Sequence, residues 1–65
     1  MPSSVIRRFD YDADARALDI LFTTGRRYRY FQVPTDVVEG LRAASSRGRY
    51  FNRRIRDAYD FLEFA

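Results

Sequence analysis

The sequence predicts a small α+β domain, in which a three-stranded antiparallel β-meander is followed by two short helices. The tail either adds a short C-terminal strand or lays its aromatic rings on the core. Two observations predict this class. Polar and apolar residues alternate with period two over three segments joined by short turns, and after Pro34 the apolar spacing becomes that of an amphipathic helix. The 65 residues contain no internal repeat or linker, so residues 1–65 are expected to form one domain.

The first two strands are predicted from β-branched and aromatic residues. Residues 5–11 form the first strand, and residues 12–16 have the Asp-rich character of a turn. Residues 17–23 form the second strand, and one of its faces is apolar throughout. The predicted core face of this strand carries Leu18, Ile20 and Phe22.

The third strand is an aromatic and densely cationic stretch that Pro34 ends, because proline cannot continue a hydrogen-bonded ladder. Thr24-Gly25 before it is a two-residue hairpin signal, since glycine accepts positive φ without steric cost. Alternation places Arg26, Tyr28, Tyr30 and Gln32 on one face, and Arg27, Arg29, Phe31 and Val33 on the other. Neither face is cleanly apolar, which leaves a bulge or an edge position open.

Two helices are predicted after the third strand. Thr35 is a good N-cap for a helix over about residues 36–44, in which Gly40 either permits close packing or weakens the helix. Ser45-Ser46 breaks the chain and recaps it. The second helix is predicted over about residues 47–56, with apolar side chains spaced by four residues.

The chain lacks cysteine and histidine, which excludes disulfides, cysteine-based zinc sites and the usual nucleophile–base pairs of enzymes. Residues 10–14 imitate the start of a calcium loop, but Ala15 stands where that loop needs glycine and Leu21 where it needs glutamate. A domain of this size also offers little room for a deep pocket. We therefore expect no catalytic activity, no metal site and no cofactor.

Positive charge gathers in the middle of the chain. All twelve basic residues are arginine, whose planar fork suits phosphate, carboxylate or an aromatic ring. Residues 25–56 hold nine arginines against Asp36 and Glu39, so this part is expected to bind an anionic partner. No apolar run approaches a membrane span, and residues 1–4 do not have the character of a secretory signal. A cytoplasmic location without a membrane partner is the expectation.

Two spaced motifs resemble those of the KTSC domain family. They are Tyr28-Arg29-Tyr30-Phe31-Gln32-Val33-Pro34 and Ser46-Arg47-Gly48-Arg49-Tyr50-Phe51-Asn52, the second followed by Ile55-Arg56. The family is named after the C-terminal segment of some lysyl-tRNA synthetases and also occurs as short stand-alone bacterial proteins. The resemblance covers nearly the whole chain and implies RNA binding, which has been suggested for the family. The first turn, residues 13–16, departs from the family pattern because it lacks a glycine.

Tyr28 and Tyr30 have two interpretations. On a sheet surface they would stack on unpaired bases while Arg26, Arg27 and Arg29 bind phosphate. Alternatively, both rings pack under the helices, as tyrosines in small cores commonly do. The sequence favours the second interpretation for at least one ring.

The start of the second helix is the sharpest functional candidate in the sequence. Ser46-Arg47-Gly48-Arg49 brings free backbone N–H groups, a small residue and arginines together, and Arg53 lies one turn further on, so an anion could bind there. A serine cap with solvated arginines is the alternative. Asn52 either reads a base edge or makes a structural hydrogen bond to a loop.

The sequence therefore predicts a nucleic-acid-binding accessory module, with RNA as the expected ligand. The predicted contacts are Arg26, Arg27, Arg29, Arg47, Arg49, Arg53 and one of the two tyrosines. Two other roles stay open: a protein-interaction module that docks an acidic partner or pairs with itself through a sheet edge, and a site for a small anion or nucleotide. The small size of the domain favours a bound or self-associated state.

Overall fold

The computed structural model describes residues 6–64, which form a four-stranded antiparallel sheet covered on one face by two helices. The strands are β1 (Ile6–Asp12), β2 (Ala17–Phe22), β3 (Arg27–Tyr30) and β4 (Phe61–Phe64), and the helices are α1 (Thr35–Ala43) and α2 (Arg47–Arg54). The strands lie in the order β1-β2-β3-β4, so β1 and β4 are the edges. The predicted α+β class is confirmed, and the tail is a fourth strand rather than a loose aromatic cover.

Within the described residues, no helix is long and apolar enough to cross a membrane. Val5, the predicted start of the first strand, lies outside those residues, as does the segment 1–4.

The first hairpin has the Asp-rich turn that the sequence predicts, whereas the second differs from the expectation in its loop length. In the first, Asp12 Oδ1 accepts hydrogen bonds from the backbone N–H groups of Asp14 (3.1 Å) and Ala15 (3.3 Å), and Arg16 takes the left-handed conformation with φ 54°. Arg16 therefore occupies a conformation that favours glycine. The second hairpin has a three-residue loop rather than the predicted two, because Phe22 N–H donates to Arg26 O (2.9 Å) and Gly25 (φ 92°) ends the turn.

The core lies between one face of the sheet and the two helices. Leu18 and Ile20 of β2, on the predicted core face, are fully buried beneath Leu41 of α1 and Phe51 of α2. Gly40 permits close packing of the helices: the Tyr50 ring lies against it, and the Tyr50 hydroxyl donates to Val37 O (2.9 Å).

Of the two helix caps predicted from the sequence, one is confirmed and the other is wrong. Ser46 caps α2, since its Oγ accepts from Arg49 N–H (3.4 Å), as one interpretation expected. The Thr35 cap was wrong: Thr35 is the first residue of α1, and Pro34 precedes it without a side-chain cap. The carbonyl of Pro34 instead accepts from Val37 N–H (3.1 Å).

Candidate nucleic-acid interface

Both strand-three tyrosines lie on the helix-covered face of the sheet. Tyr30 is 3% exposed and packs edge-on against Phe51, with 5.5 Å between ring centroids. Burial raises its pKa to about 12, since the charged phenolate is disfavoured there. Tyr28 is half-buried and packs edge-on against Phe22 at 5.3 Å. The favoured interpretation, that at least one of the two rings packs under the helices, is confirmed by Tyr30. Stacking of a base on Tyr30 is wrong as a prediction, because its ring already packs against Phe51 of α2.

The uncovered face of the sheet carries two cross-strand rows of side chains, which the strand register places side by side. We call the first the cationic row; its members are Arg8, Leu21, Arg27 and Phe64, one from each strand in spatial order. We call the second the acidic row; its members are Asp10, Asp19, Arg29 and Leu62. A β-bulge between Ile6 and Arg8 allows Ile6 to enter the core while Arg8 lies on the uncovered face.

Two of the three predicted arginines of β3 and its preceding turn have carboxylate partners. Arg29 Nε lies 2.7 Å from Asp19 Oδ1, and the hydrogen bonds and charge of Asp19 raise the pKa of Arg29. Arg26 Nε lies 3.8 Å from Glu63 Oε2, and a hydrogen bond with Tyr28 followed by the charge of Glu63 raises the pKa of Arg26. The Arg26 pair is long and exposed, so it contributes little. Arg27 has no carboxylate within 4.0 Å among the described residues.

The residues of the predicted anion site at the start of α2 lie on two sides of the helix. Arg47 stacks over the Phe9 ring at 5.5 Å from its centroid, and Arg42 from the end of α1 lies over the same ring at 5.4 Å. Gly48 is buried. Arg49 lies on the other side, where it lines a shallow concavity of about 350 Å³. The other residues lining that concavity are Ala44, Ser45, Ser46, Tyr50, Arg53 and Arg54.

Within the described residues, no arginine of α2 has a carboxylate within 4.0 Å. Over residues 6–64, the three ion pairs within 4.0 Å involve Arg26, Arg29 and Arg42. The Asn52 side chain is exposed on α2 and makes no hydrogen bond to another described residue, so the expected bond to a loop is wrong. The helix therefore presents solvated donors that are available to an anion.

Sequence reasoning missed three members of the cationic row: Arg8, Leu21 and Phe64. Phe64 could have been found from the tail, where Leu62 and Phe64 alternate with Phe61, had that segment been assigned as a strand beside β3. The described carboxylates form no group that could hold a metal ion, and Asp12 of the Asp-rich turn instead binds backbone N–H groups.

Comparison with known proteins gives one consistent result. Residues 2–59 match the KTSC domain family. The chain is 41% identical over 62 residues to a lysine–tRNA ligase of Nostoc punctiforme, covering 95% of this chain and 11% of the ligase. It is 42% identical over 53 residues to an uncharacterised protein of Stutzerimonas stutzeri, covering 82% of this chain and 75% of that protein. The crystal structure of a KTSC domain protein from Yersinia pestis superimposes with a TM-score of 0.89 at 32% identity, covering 100% of this chain and 92% of that one.

Proposed function

The chain belongs to the KTSC domain family, and we propose that it is a nucleic-acid-binding accessory module whose ligand is RNA. The observation that carries the proposal is the set of arginines on α2 that lack carboxylate partners among the described residues. Each guanidinium fork is suited to two hydrogen bonds with a phosphate. The similarity to lysine–tRNA ligases supports RNA as the ligand, although the chain spans only 11% of the Nostoc punctiforme ligase.

The α2 arginines offer two neighbouring contact points for a phosphate backbone. Arg49 and Arg53 are one helical turn apart and line the same concavity, and none of the described residues that line it is acidic. Arg47 lies on the other side of the helix, braced by the Phe9 ring. A guanidinium held against a ring loses less rotamer freedom when it binds a phosphate. The phosphate backbone is proposed to cross the start of α2, with Arg47 on one side and Arg49 and Arg53 on the other.

We propose no catalytic step and no cofactor for the chain, and we propose a cytoplasmic location. Binding of this kind depends on counterion release, so the logarithm of the RNA association constant should fall linearly with the logarithm of the salt concentration. Fluorescence anisotropy with a labelled single-stranded RNA at several salt concentrations measures this slope. Binding that ignores salt, or that is absent at low salt, would overturn the proposal.

A matched pair of variants locates the contact. Arg49→Gln and Arg53→Gln should each weaken RNA binding and reduce the salt slope by about 1, the value for one lost phosphate contact. Arg16→Gln removes the same charge from the first turn, far along the chain from α2, and should leave the slope unchanged. Equal effects of all three substitutions would show that only net charge matters and would contradict a site on α2.

A second candidate function, docking of a protein through the sheet edge, is favoured by the apolar surface of β4. Phe61 and Leu62 are 52% and 56% exposed on this edge strand, and an edge with apolar side chains is a template for strand addition. Sedimentation velocity over a range of protein concentrations tests self-pairing. Leu62→Lys should abolish any concentration-dependent dimer, because a lysine on an edge strand opposes pairing. A constant monomer mass for the unmodified chain would exclude self-pairing.

A further inference from the structure

On the uncovered face of the sheet, the arginine side chains of the cationic row alternate with apolar ones across the strands. The cationic row runs across all four strands, and neighbouring strands lie about 4.8 Å apart, so the row spans roughly 14 Å. Arg8 and Arg27 flank Leu21 on this row, and Phe64 lies beyond Arg27 at the β4 edge. These side chains line a concavity of about 100 Å³ together with Phe9, Asp10, Asp19 and Ile20.

The acidic row fixes where an anion can lie on this face. Asp19 is occupied by Arg29, with the guanidinium and carboxylate hydrogen-bonded at 2.7 and 3.1 Å. Asp10 lies beside it on β1 and has no ion pair within the described residues. The Asp10 carboxylate also lines the concavity, where it opposes the two guanidinium groups of Arg8 and Arg27, so the concavity keeps a net positive charge. A phosphate is therefore favoured on the side of the concavity that the cationic row forms, between Arg8 and Arg27.

Phe64 adds a feature that a simple anion does not use. The Arg29 guanidinium lies over its ring at 5.2 Å from the centroid, which braces the ring at the end of the row. The ring is only partly buried. A flat aromatic surface next to the Arg27 guanidinium matches a ligand in which a phosphate and an unpaired base are neighbours.

We propose that the cationic row binds one nucleotide unit of a single-stranded RNA, with its phosphate between Arg8 and Arg27 and its base on Phe64. The inference rests on the proposed function and deepens it, because it assigns a base-contacting surface to the module. Phe64 then takes the stacking role that the sequence suggested for Tyr28 and Tyr30. A duplex does not fit this role, since its bases stack on each other and their faces are covered. Arg8 and Phe9 are neighbours in β1, so this subsite and the Arg47 side of α2 meet at the same sheet edge.

The test separates the base contact from the phosphate contact. Anisotropy titrations at low salt compare a single-stranded RNA with an abasic oligomer of the same length. Phe64→Leu should weaken binding of the RNA by roughly 5- to 100-fold, the loss of one stacked base, and leave the abasic oligomer within twofold. Phe64→Trp should restore RNA binding, because indole also offers a stacking surface. Arg27→Gln should weaken binding of both oligomers by a similar factor.

The matched control for Phe64 is Phe31→Leu, which removes an exposed aromatic ring outside the sheet. It should change neither affinity. If Phe64→Leu behaves like Phe31→Leu while the unmodified chain still binds RNA with a salt-dependent affinity, the subsite is wrong and the proposed function stands. If the unmodified chain binds no RNA at low salt, both are wrong. If an acidic peptide binds as tightly as RNA and Phe64→Leu affects the two ligands equally, the surface recognises charge alone and the nucleotide subsite is excluded.

Discussion

Asp19 and Arg29 face each other across β2 and β3, and the Arg29 guanidinium donates two hydrogen bonds to the two carboxylate oxygens, at 2.7 and 3.1 Å. The geometry is that of a two-point fork on a carboxylate. Arg29 also lies over the Phe64 ring. This arginine, predicted from the sequence to bind phosphate, is therefore already bound to an internal anion and serves to position the ring beside it.

Removing the Asp19 charge should increase RNA affinity. In Asp19→Asn the amide no longer neutralises Arg29, so the guanidinium becomes available to a phosphate, and we expect affinity at low salt to rise by about two- to tenfold with a steeper salt dependence. Asp14→Asn changes the same charge in the exposed first turn and serves as the control. Salt-dependent anisotropy titrations measure both variants. An equal gain for the two variants would mean that Asp19 acts only through net charge.

Arg16→Gly should stabilise the domain. Arg16 has φ 54°, a conformation that costs a non-glycine residue about 1 kcal/mol and that glycine adopts without strain. Part of the gain is offset by the entropy that glycine loses on folding, so the free energy of unfolding should rise by roughly 0.5 kcal/mol. Urea denaturation measures the change. Arg16→Ala keeps the strain and should show no gain, and a gain in both variants would assign the effect to the lost charge.

Gly40→Ala should destabilise the domain although alanine is the better helix former. A Cβ at position 40 would lie 2.6 Å from Tyr50 Cζ, so the ring must move and its hydrogen bond to Val37 O is lost. We expect a net loss of roughly 1–2 kcal/mol, since overpacking outweighs a propensity gain of about 1 kcal/mol. In a Tyr50→Leu background the same substitution should be neutral or stabilising. Urea denaturation of the unmodified chain, the two single variants and the double variant gives a double-mutant cycle. Additive changes in the free energy of unfolding would contradict the steric explanation.

Tyr30 should make the domain sensitive to alkaline pH. Its pKa in the folded state is raised to about 12, above the ordinary value of 10.0, because it is buried. Below pH 10 the Tyr30 phenol is neutral in both the folded and the unfolded state, so its contribution to stability is fully present. Between pH 10 and 12 the unfolded chain loses the proton first, so stability falls by roughly 2 kcal/mol. Thermal unfolding of the unmodified chain and of Tyr30→Phe over this range measures the effect, and parallel pH profiles would contradict it.

The fold was predictable because its determinants are local. Alternation of Leu18, Ile20 and Phe22 identified the core face of β2, and Ser46 marked the start of α2. Thr24-Gly25 identified a hairpin but not its loop length, because Thr23 joins the loop only when Phe22 pairs with Arg26. A two-residue signal therefore locates a turn without fixing its register.

The site was less predictable because it depends on cross-strand register. The Asp19–Arg29 pair follows from the register of the β2–β3 hairpin, and the position of Phe64 beside Arg27 follows from a pairing between strands that are distant in sequence. Alternation correctly separated Tyr30 from Arg29, but it did not say which face the helices would cover. Val33 shows a further limit: it alternates with Arg29, yet the left-handed Gln32 (φ 57°) turns it into the core, where Tyr11 donates a 2.6 Å hydrogen bond to its carbonyl.

The bulge in β1 makes the two edges of the sheet unequal. At one edge the regular ladder is interrupted between Ile6 and Arg8, whereas β4 pairs with β3 without interruption along Phe61–Phe64. A bulged edge with charged side chains of both signs opposes the addition of another strand. If two copies joined through β4, each would use its regular edge and leave a bulged edge outside. Assembly by this route would stop at two chains and would not extend into a fibre.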